Sequence, residues 1–181
     1  MNPLAIIQKY YPIESEVYKI LVEHSRCVAY KAVQIGCLHL ELELDLPFVE
    51  EAAMLHDIGA FLCYAPEIGC HGEAEYICHG YLGAELLRDE GYPRHALVCE
   101  RHTGTGLSVE MIERHNLPLP HRDMRPQSIE EQVICFADKF FSKTKLGKEK
   151  TVSQVMQSMA KYGMASVLQF QKWCEIFKEG F

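Results

Sequence analysis

Between residues 14 and 36, Val17, Ile20, Leu21, Val28 and Ile35 recur close to the 3.6-residue period of an α-helix, and His24 falls on the same stripe. The spacing predicts a long amphipathic helix whose inner face includes a histidine. Helical segments joined by short loops make up the rest of the chain. No alternating strand pattern of useful length is present, so the expected fold class is all-α.

Pro47 opens a second segment in which Val49, Ala52, Ala53, Leu55 and His56 lead to Gly59, read as a helix stop, with His56 and Asp57 in the last turn. A third helix is expected from about His79 to Glu90, with Leu82, Leu86 and Leu87 inward and Gly91 ending it. Pro93 to Arg101 forms the next, and His102 follows it. Ser108 can cap a short helix to His115, whereas NLPLPHRDMRP must be a loop because three prolines interrupt it. Ser128-Ile129-Glu130-Glu131 reads as a capping box before a helix carrying Val133, Ile134, Phe136, Ala137 and Asp138. Thr151 to Gln154 offers another box before the last two helical stretches, where Phe170, Trp173 and Phe177 look like packing groups.

The chain's 181 residues, 48% of them hydrophobic, suit one domain with a full core, and no repeat or long linker divides it. Residues 1–181 are therefore expected to form one unit, with the helices of 151–179 completing it. The formal charge of -7 gives no broad attraction to nucleic acid or to an anionic membrane surface, so neither is the expected partner. MNPLAIIQKYYPIESE has no basic leader and no later window suits a membrane span, which points to the cytoplasm. Oligomeric state is not legible. Eight cysteines, no two of them separated by only two residues, read as reduced thiols in the core rather than as zinc knuckles.

Four polar side chains stand out against this background. His24, the His56-Asp57 pair and Asp138 fall on inward faces of different segments, where an unpaired histidine or carboxylate costs several kcal/mol to bury. Any one of them is more simply a satisfied core histidine or a helix cap. Together they call for a shared explanation.

With His79 in "HGYLGAELL" and His102 in "ERHTGTGLS", the ordered series His24, His56-Asp57, His79, His102, Asp138 resembles the HD superfamily of metal-dependent phosphohydrolases over roughly residues 18 to 142. The resemblance is to its six-ligand subset and implies a compact helical bundle holding divalent metal, two ions by that likeness. Four imidazoles and two carboxylates suit iron or manganese, with zinc also possible, better than magnesium or calcium. In the implied arrangement Asp57 is the catalytic carboxylate, bridging the ions. His24, His56 and Asp138 serve one, and His79 and His102 the other. A bridging hydroxide would then attack phosphorus in a small phosphorylated substrate, a nucleotide among the candidates.

The tripeptide Cys-His-Gly occurs twice, at Cys70-His71-Gly72 and Cys78-His79-Gly80. The likeness makes His79 the ligand, leaving His71 as an exposed loop residue or a substrate contact. Arg26, Arg101 and Lys139 adjoin the proposed ligands and could each reach a phosphate, with solvated surface charge as an equal competitor. His121, Arg122 and Arg125, in the loop between His115 and Ser128, could form a rim, although a plain surface connection accounts for them too. Several HD phosphodiesterases carry a lysine shortly after the His-Asp pair, where this chain has Ala60; Lys139 or His71 could substitute. Two other classes stay open: HD-type di-iron oxygenases share the six ligands, and a non-catalytic nucleotide or metal sensor would bind without turnover.

Overall fold

A computed structural model describes residues 1–178; residue 179, the expected end of the last helical stretch, lies outside them. The described residues contain nine α-helices: α1 Pro3–Tyr10, α2 Glu16–Leu38, α3 Leu46–Leu55, α4 His79–Asp89, α5 Pro93–Arg101, α6 Val109–Arg114, α7 Ile129–Asp138, α8 Val152–Ala160 and α9 Met164–Ile176. The all-α expectation holds. One small antiparallel ribbon, β1 Tyr64–Ala65 with β2 Cys70–His71, was not expected, because two-residue strands leave no periodicity to read.

Local chemistry sets the helix starts. The Ser15 side chain accepts the Tyr18 N–H to cap α2, and Asp45 accepts the Phe48 N–H ahead of α3, whose first turn contains Pro47. At α8 both halves of the Thr151/Gln154 capping box are present. At α7 only one half forms. Ser128 accepts the Glu131 N–H, but the Glu131 carboxylate accepts from the Gln127 N–H and from Arg101 instead of turning back to its cap.

The long α2 packs against α3 and α7, while α4 packs against α5 and against a tight 3₁₀ turn, Ile58–Leu62. α9 closes the far side of α7. There Phe136 stacks on Phe170 and meets Phe177 and the edge of Trp173, whose indole N–H donates to Gln132 Oε1 at 3.0 Å. Those aromatic residues are packing groups, as the sequence implied.

One helix boundary differs from expectation in a way that matters for the site. α3 stops at Leu55, so His56 and Asp57 lie just beyond it and not in its last turn. Gly59 belongs to the following 3₁₀ turn and is not a helix stop. A Cβ there would lie 2.3 Å from the His79 carbonyl oxygen and 2.4 Å from the Gly83 nitrogen, so only glycine lets this turn press against the start of α4. Gly80 does the same against α5, where a Cβ would lie 2.6 Å from the Cys99 carbonyl oxygen.

Candidate metal centre

The architecture brings helix ends to one place. His24 projects from the middle of α2, His56 and Asp57 follow the end of α3, His79 begins α4, His102 follows α5 and Asp138 ends α7. All but Asp138 are nearly fully buried.

Three of the four imidazoles are oriented in the same way. His56 Nδ1 lies 2.6 Å from the Ala53 carbonyl oxygen, His79 Nδ1 2.6 Å from that of Tyr76, and His102 Nδ1 2.7 Å from that of Cys99. Each partner is three residues earlier. Last-turn carbonyls of α3 and α5 have no intrahelical donor, so a ring placed just past the helix end can donate to them. In the neutral ring the donated Nδ1–H leaves Nε2 as a bare lone pair directed inward. Tyr76 further fixes His79 by stacking on it at 4.5 Å between ring centres.

Asp57 sits between two groups. Its Oδ2 lies 3.2 Å from His24 Nε2 and 3.0 Å from His56 Nε2, and Asp138 Oδ1 lies 3.0 and 3.5 Å from the same two nitrogens. Its Oδ1 lies 3.2 Å from His79 Nε2 and 3.4 Å from His102 Nε2. The ligand atoms thus form two sets sharing one carboxylate: His24, His56, Asp57 and Asp138, and Asp57, His79 and His102.

A metal ion fits this arrangement. Among the described residues, His24 Nε2, His56 Nε2 and Asp57 Oδ1 are buried without a hydrogen-bond partner despite their proximity. Buried atoms left in that state cost about 1–3 kcal/mol each, and a cation answers all of them at once. Nitrogen and carboxylate donors in this ratio bind divalent metals of the first transition row.

The charges respond to one another. Burial alone would lower His56, but Asp57 and Asp138 outweigh it and raise its pKa to about 9. Burial pushes His102 down to about 4, with His56 and His79 adding to the effect. Burial opposes ionisation of Asp57, yet His56 and Lys143 hold its carboxyl well below the usual range.

Two residues here escaped the sequence reading. Lys143 Nζ lies 2.6 Å from Asp57 Oδ2, and Tyr76, besides stacking on His79, lies under the Lys143 ammonium at 5.8 Å. Lys143 sits in the irregular stretch after α7, where nothing in the local pattern marks it. Lys139, named in advance, does face the site: its ammonium donates to Asp138 Oδ2 at 2.7 Å and to the His102 carbonyl at 3.0 Å.

The other three expected substrate contacts lie elsewhere. Arg26 is exposed on the outer face of α2, against Tyr30 and Met54, because two residues along a helix turn the side chain away from His24. Arg101 is engaged by Glu131 at 2.9 Å. His71 is exposed and pairs with Tyr64 in the ribbon, so neither it nor its neighbour Cys70, which is buried packing, joins the cluster. In the loop after His115, Arg122 is bound to Glu100, Arg125 to Asp123, and His121 faces outward. That loop is tied down by backbone hydrogen bonds between Leu107 and Met124.

A cavity of about 290 Å³ opens onto His79, His102 and Asp138. Its polar side carries Lys139, Lys143 and Tyr76, and its apolar side carries Ile77, Leu107 and Met159. A larger hollow of about 620 Å³ beside α9 does not reach the His/Asp cluster, whereas one of about 440 Å³ touches it at Asp138. No helix among the described residues is long and apolar enough to cross a membrane.

Comparison with known proteins agrees with this geometry. The chain is 33% identical to an uncharacterized protein of Methanocaldococcus jannaschii over 69% of this chain and 68% of that protein. It is also 31% and 30% identical to proteins named tRNA (cytidine(56)-2'-O)-methyltransferase from Thermoplasma volcanium and Picrophilus torridus, over 80% and 74% of this chain. The chain spans only 37% and 38% of those two proteins. No solved structure matches it significantly. The HD domain family model matches residues 21–142, a span that contains all six clustered His and Asp side chains, and the chain belongs to that family.

Proposed function

We propose that this protein is a metal-dependent phosphohydrolase that cleaves a phosphoester or phosphoanhydride bond in a small phosphorylated metabolite, nucleotides included. The observation that carries the reading is Asp57, whose two carboxylate oxygens face separate histidine pairs. His24, His56, Asp57 and Asp138 would hold one divalent ion, and Asp57, His79 and His102 a second; iron or manganese suits the donors, and zinc is compatible. Bound there, the ions supply Lewis acidity toward phosphoryl oxygens and bring the pKa of bound water toward neutrality.

The chain's own groups do the rest. The carbonyls of Ala53, Tyr76 and Cys99 hold three imidazoles in the tautomer that presents Nε2. Lys139 and Lys143 place two ammonium groups at the cavity wall, where they can draw in a phosphate and offset its charge. Lys143 occupies the role for which Ala60 offers no side chain, and His71 is too exposed to share it. The apolar wall of Ile77, Leu107 and Met159 excludes water from the remainder of the substrate.

On this reading the protein acts in the cytoplasm as one HD unit, with α8 and α9 completing it. The methyltransferase names describe much longer proteins, so methyl transfer is not carried over. Protein purified without chelator should release phosphate from a panel of nucleotide and sugar phosphates, lose that activity with chelator, and regain it with manganese or iron. Oxygen uptake with a mixed-valent iron signal and no phosphate release would overturn the proposal in favour of an oxygenase. Ligand binding without any turnover would make it a sensor.

A further inference from the structure

We infer that the substrate carries at least two phosphoryl groups, one presented to the metal centre and another held in a lysine-lined groove leading away from it. The inference rests on the hydrolase reading and adds a substrate class to it. Residues 139–161 contain six lysines against one glutamate, a local charge of +5 in a chain whose formal charge is -7. Five of those lysines, Lys143, Lys145, Lys148, Lys150 and Lys161, lie beyond residue 142, where the HD family match ends. They belong to what this chain adds to the family's core.

The structure gathers them into one continuous path. A hollow of about 440 Å³ starts at Asp138, Lys139 and Lys143 and is walled by Lys150 and Lys161. A second, of about 650 Å³, shares Ser142, Lys150, Ser158 and Lys161 with the first and adds Lys145 and Lys148. The single acid of the stretch, Glu149, is taken up by Lys31 at 2.9 Å. Among the described residues no carboxylate pairs with Lys145, Lys148, Lys150 or Lys161, whereas Lys9, Lys31 and Lys178 each have one. Glu67 lines the inner hollow without pairing with a lysine.

Like charges collected without counterions repel one another, and an anion relieves that repulsion. Lysine acts as a strongly hydrated point charge suited to phosphate. The groove begins at the wall of the proposed metal centre, so the anion it binds is continuous with the group being cleaved. Its partner is a compact oligo-anion rather than a nucleic acid, because the chain as a whole is acidic and the outer hollow is lined by lysines, hydroxyls and amides with no aromatic platform for a base, the aromatic side chains Tyr76, Phe141 and Tyr162 lining only the inner one.

The test is calorimetric titration of manganese-loaded full-length protein with inorganic orthophosphate and with tripolyphosphate, metal content being measured before and after. Tripolyphosphate should bind at least about tenfold more tightly. The double variant Lys150→Gln/Lys161→Gln should lose that advantage while keeping its metal and its affinity for orthophosphate. Equal affinity of the two anions for the unmodified protein, or an unchanged preference in the variant, overturns the inference. Single-stranded RNA binding more tightly than tripolyphosphate, and more so with length, overturns it as well. If the anion preference fails while phosphate release from monophosphates persists, the hydrolase reading stands alone. If the preference holds and no phosphorylated compound is cleaved, the groove stands and the hydrolase reading falls.

Discussion

The Nε2 atoms of His79 and His102 face each other at 2.9 Å, each on a ring whose Nδ1 is already directed at a backbone carbonyl. With both Nδ1 positions protonated, two lone pairs meet and neither can donate. His79, His102 and Asp57 could together hold a divalent ion, which would resolve that conflict.

Selective loss of the two ligand sets follows. Asp138→Ala should weaken binding in the set that contains His24 and His56, and His102→Ala should weaken the other. Asp57→Ala should weaken both, because it is shared. Removing a ligand should cost at least about a hundredfold in affinity, the upper end of what loss of a supporting hydrogen bond costs. Metal analysis of the three variants, with circular dichroism to check helix content, reads the outcome. Full occupancy in Asp57→Ala would dismiss the site.

Proton release is the second expectation. His56 is raised to about 9, so in the metal-free protein it is protonated at neutral pH and must give up that proton to bind metal. His102, lowered to about 4, is already neutral and gives up none. Metal affinity should rise about tenfold per pH unit toward about 9, and calorimetry at pH 7 in buffers of different ionisation heat should detect at least one proton released per chain. The metal-free fold should respond in both directions. His56 contributes stability that is fully present below pH 6.5 and is lost as pH climbs through about 9. His102 contributes stability present above pH 6.5 and lost as pH falls through about 4.

Gly59→Ala tests whether close approach, rather than turn geometry, explains that glycine. The new Cβ would meet backbone atoms of His79 and Gly83 that cannot swing aside. Destabilisation of about 1–3 kcal/mol is expected from overpacking of this kind. Because the strain falls on the residue that begins α4, metal should be lost preferentially from the set containing His79. A variant with unchanged melting temperature and full metal content would contradict the packing account.

Much of the site could be read from the sequence, for a physical reason: a histidine or carboxylate on an apolar helical stripe announces that something inside must satisfy it. His24, His56, Asp57 and Asp138 carried that signal. His79 and His102 did not, since one opens its helix and the other follows one, with neither on a stripe of apolar residues read from the sequence, and only family likeness singled them out. Chain adjacency did not decide which basic side chains line the cavity: Lys139 does, and Arg26 and Arg101 do not. Arg26 is two residues from His24, roughly 200° around a helix of 3.6 residues per turn, and so faces solvent. Gly59 resembled a helix stop because glycine marks both a chain reversal and a close contact, and the sequence does not distinguish them. Lys143 returns to Asp57 through an irregular stretch that has no period to follow.

The exposed positions give a control. Arg26→Ala and His71→Ala lie outside the cavity, and surface changes of this sort usually stay within about 0.5 kcal/mol. Metal content should be unchanged and kcat/KM should stay within about twofold. Loss of metal in His71→Ala would mean that the other half of the Cys-His-Gly repeat had been misassigned.

Lys143 provides the sharpest separation between holding a metal and using it. Its ammonium lies 2.6 Å from Asp57 Oδ2, where it competes with a cation for the same carboxylate, and Asp57 in return raises its pKa far above the ordinary lysine value against the effect of burial. Lys143→Met should therefore bind divalent metal as well as the parent or more tightly. Phosphate binding should suffer instead. A lost charge-assisted contact is worth about 1.5–3 kcal/mol, so kcat/KM should fall by about one to two orders of magnitude, with partial recovery in Lys143→Arg. Parallel measurement of metal affinity and of phosphate release decides the matter. Metal and activity falling together would mark Lys143 as a structural counterion of Asp57, and opposite movements would mark it as the group that receives the phosphate.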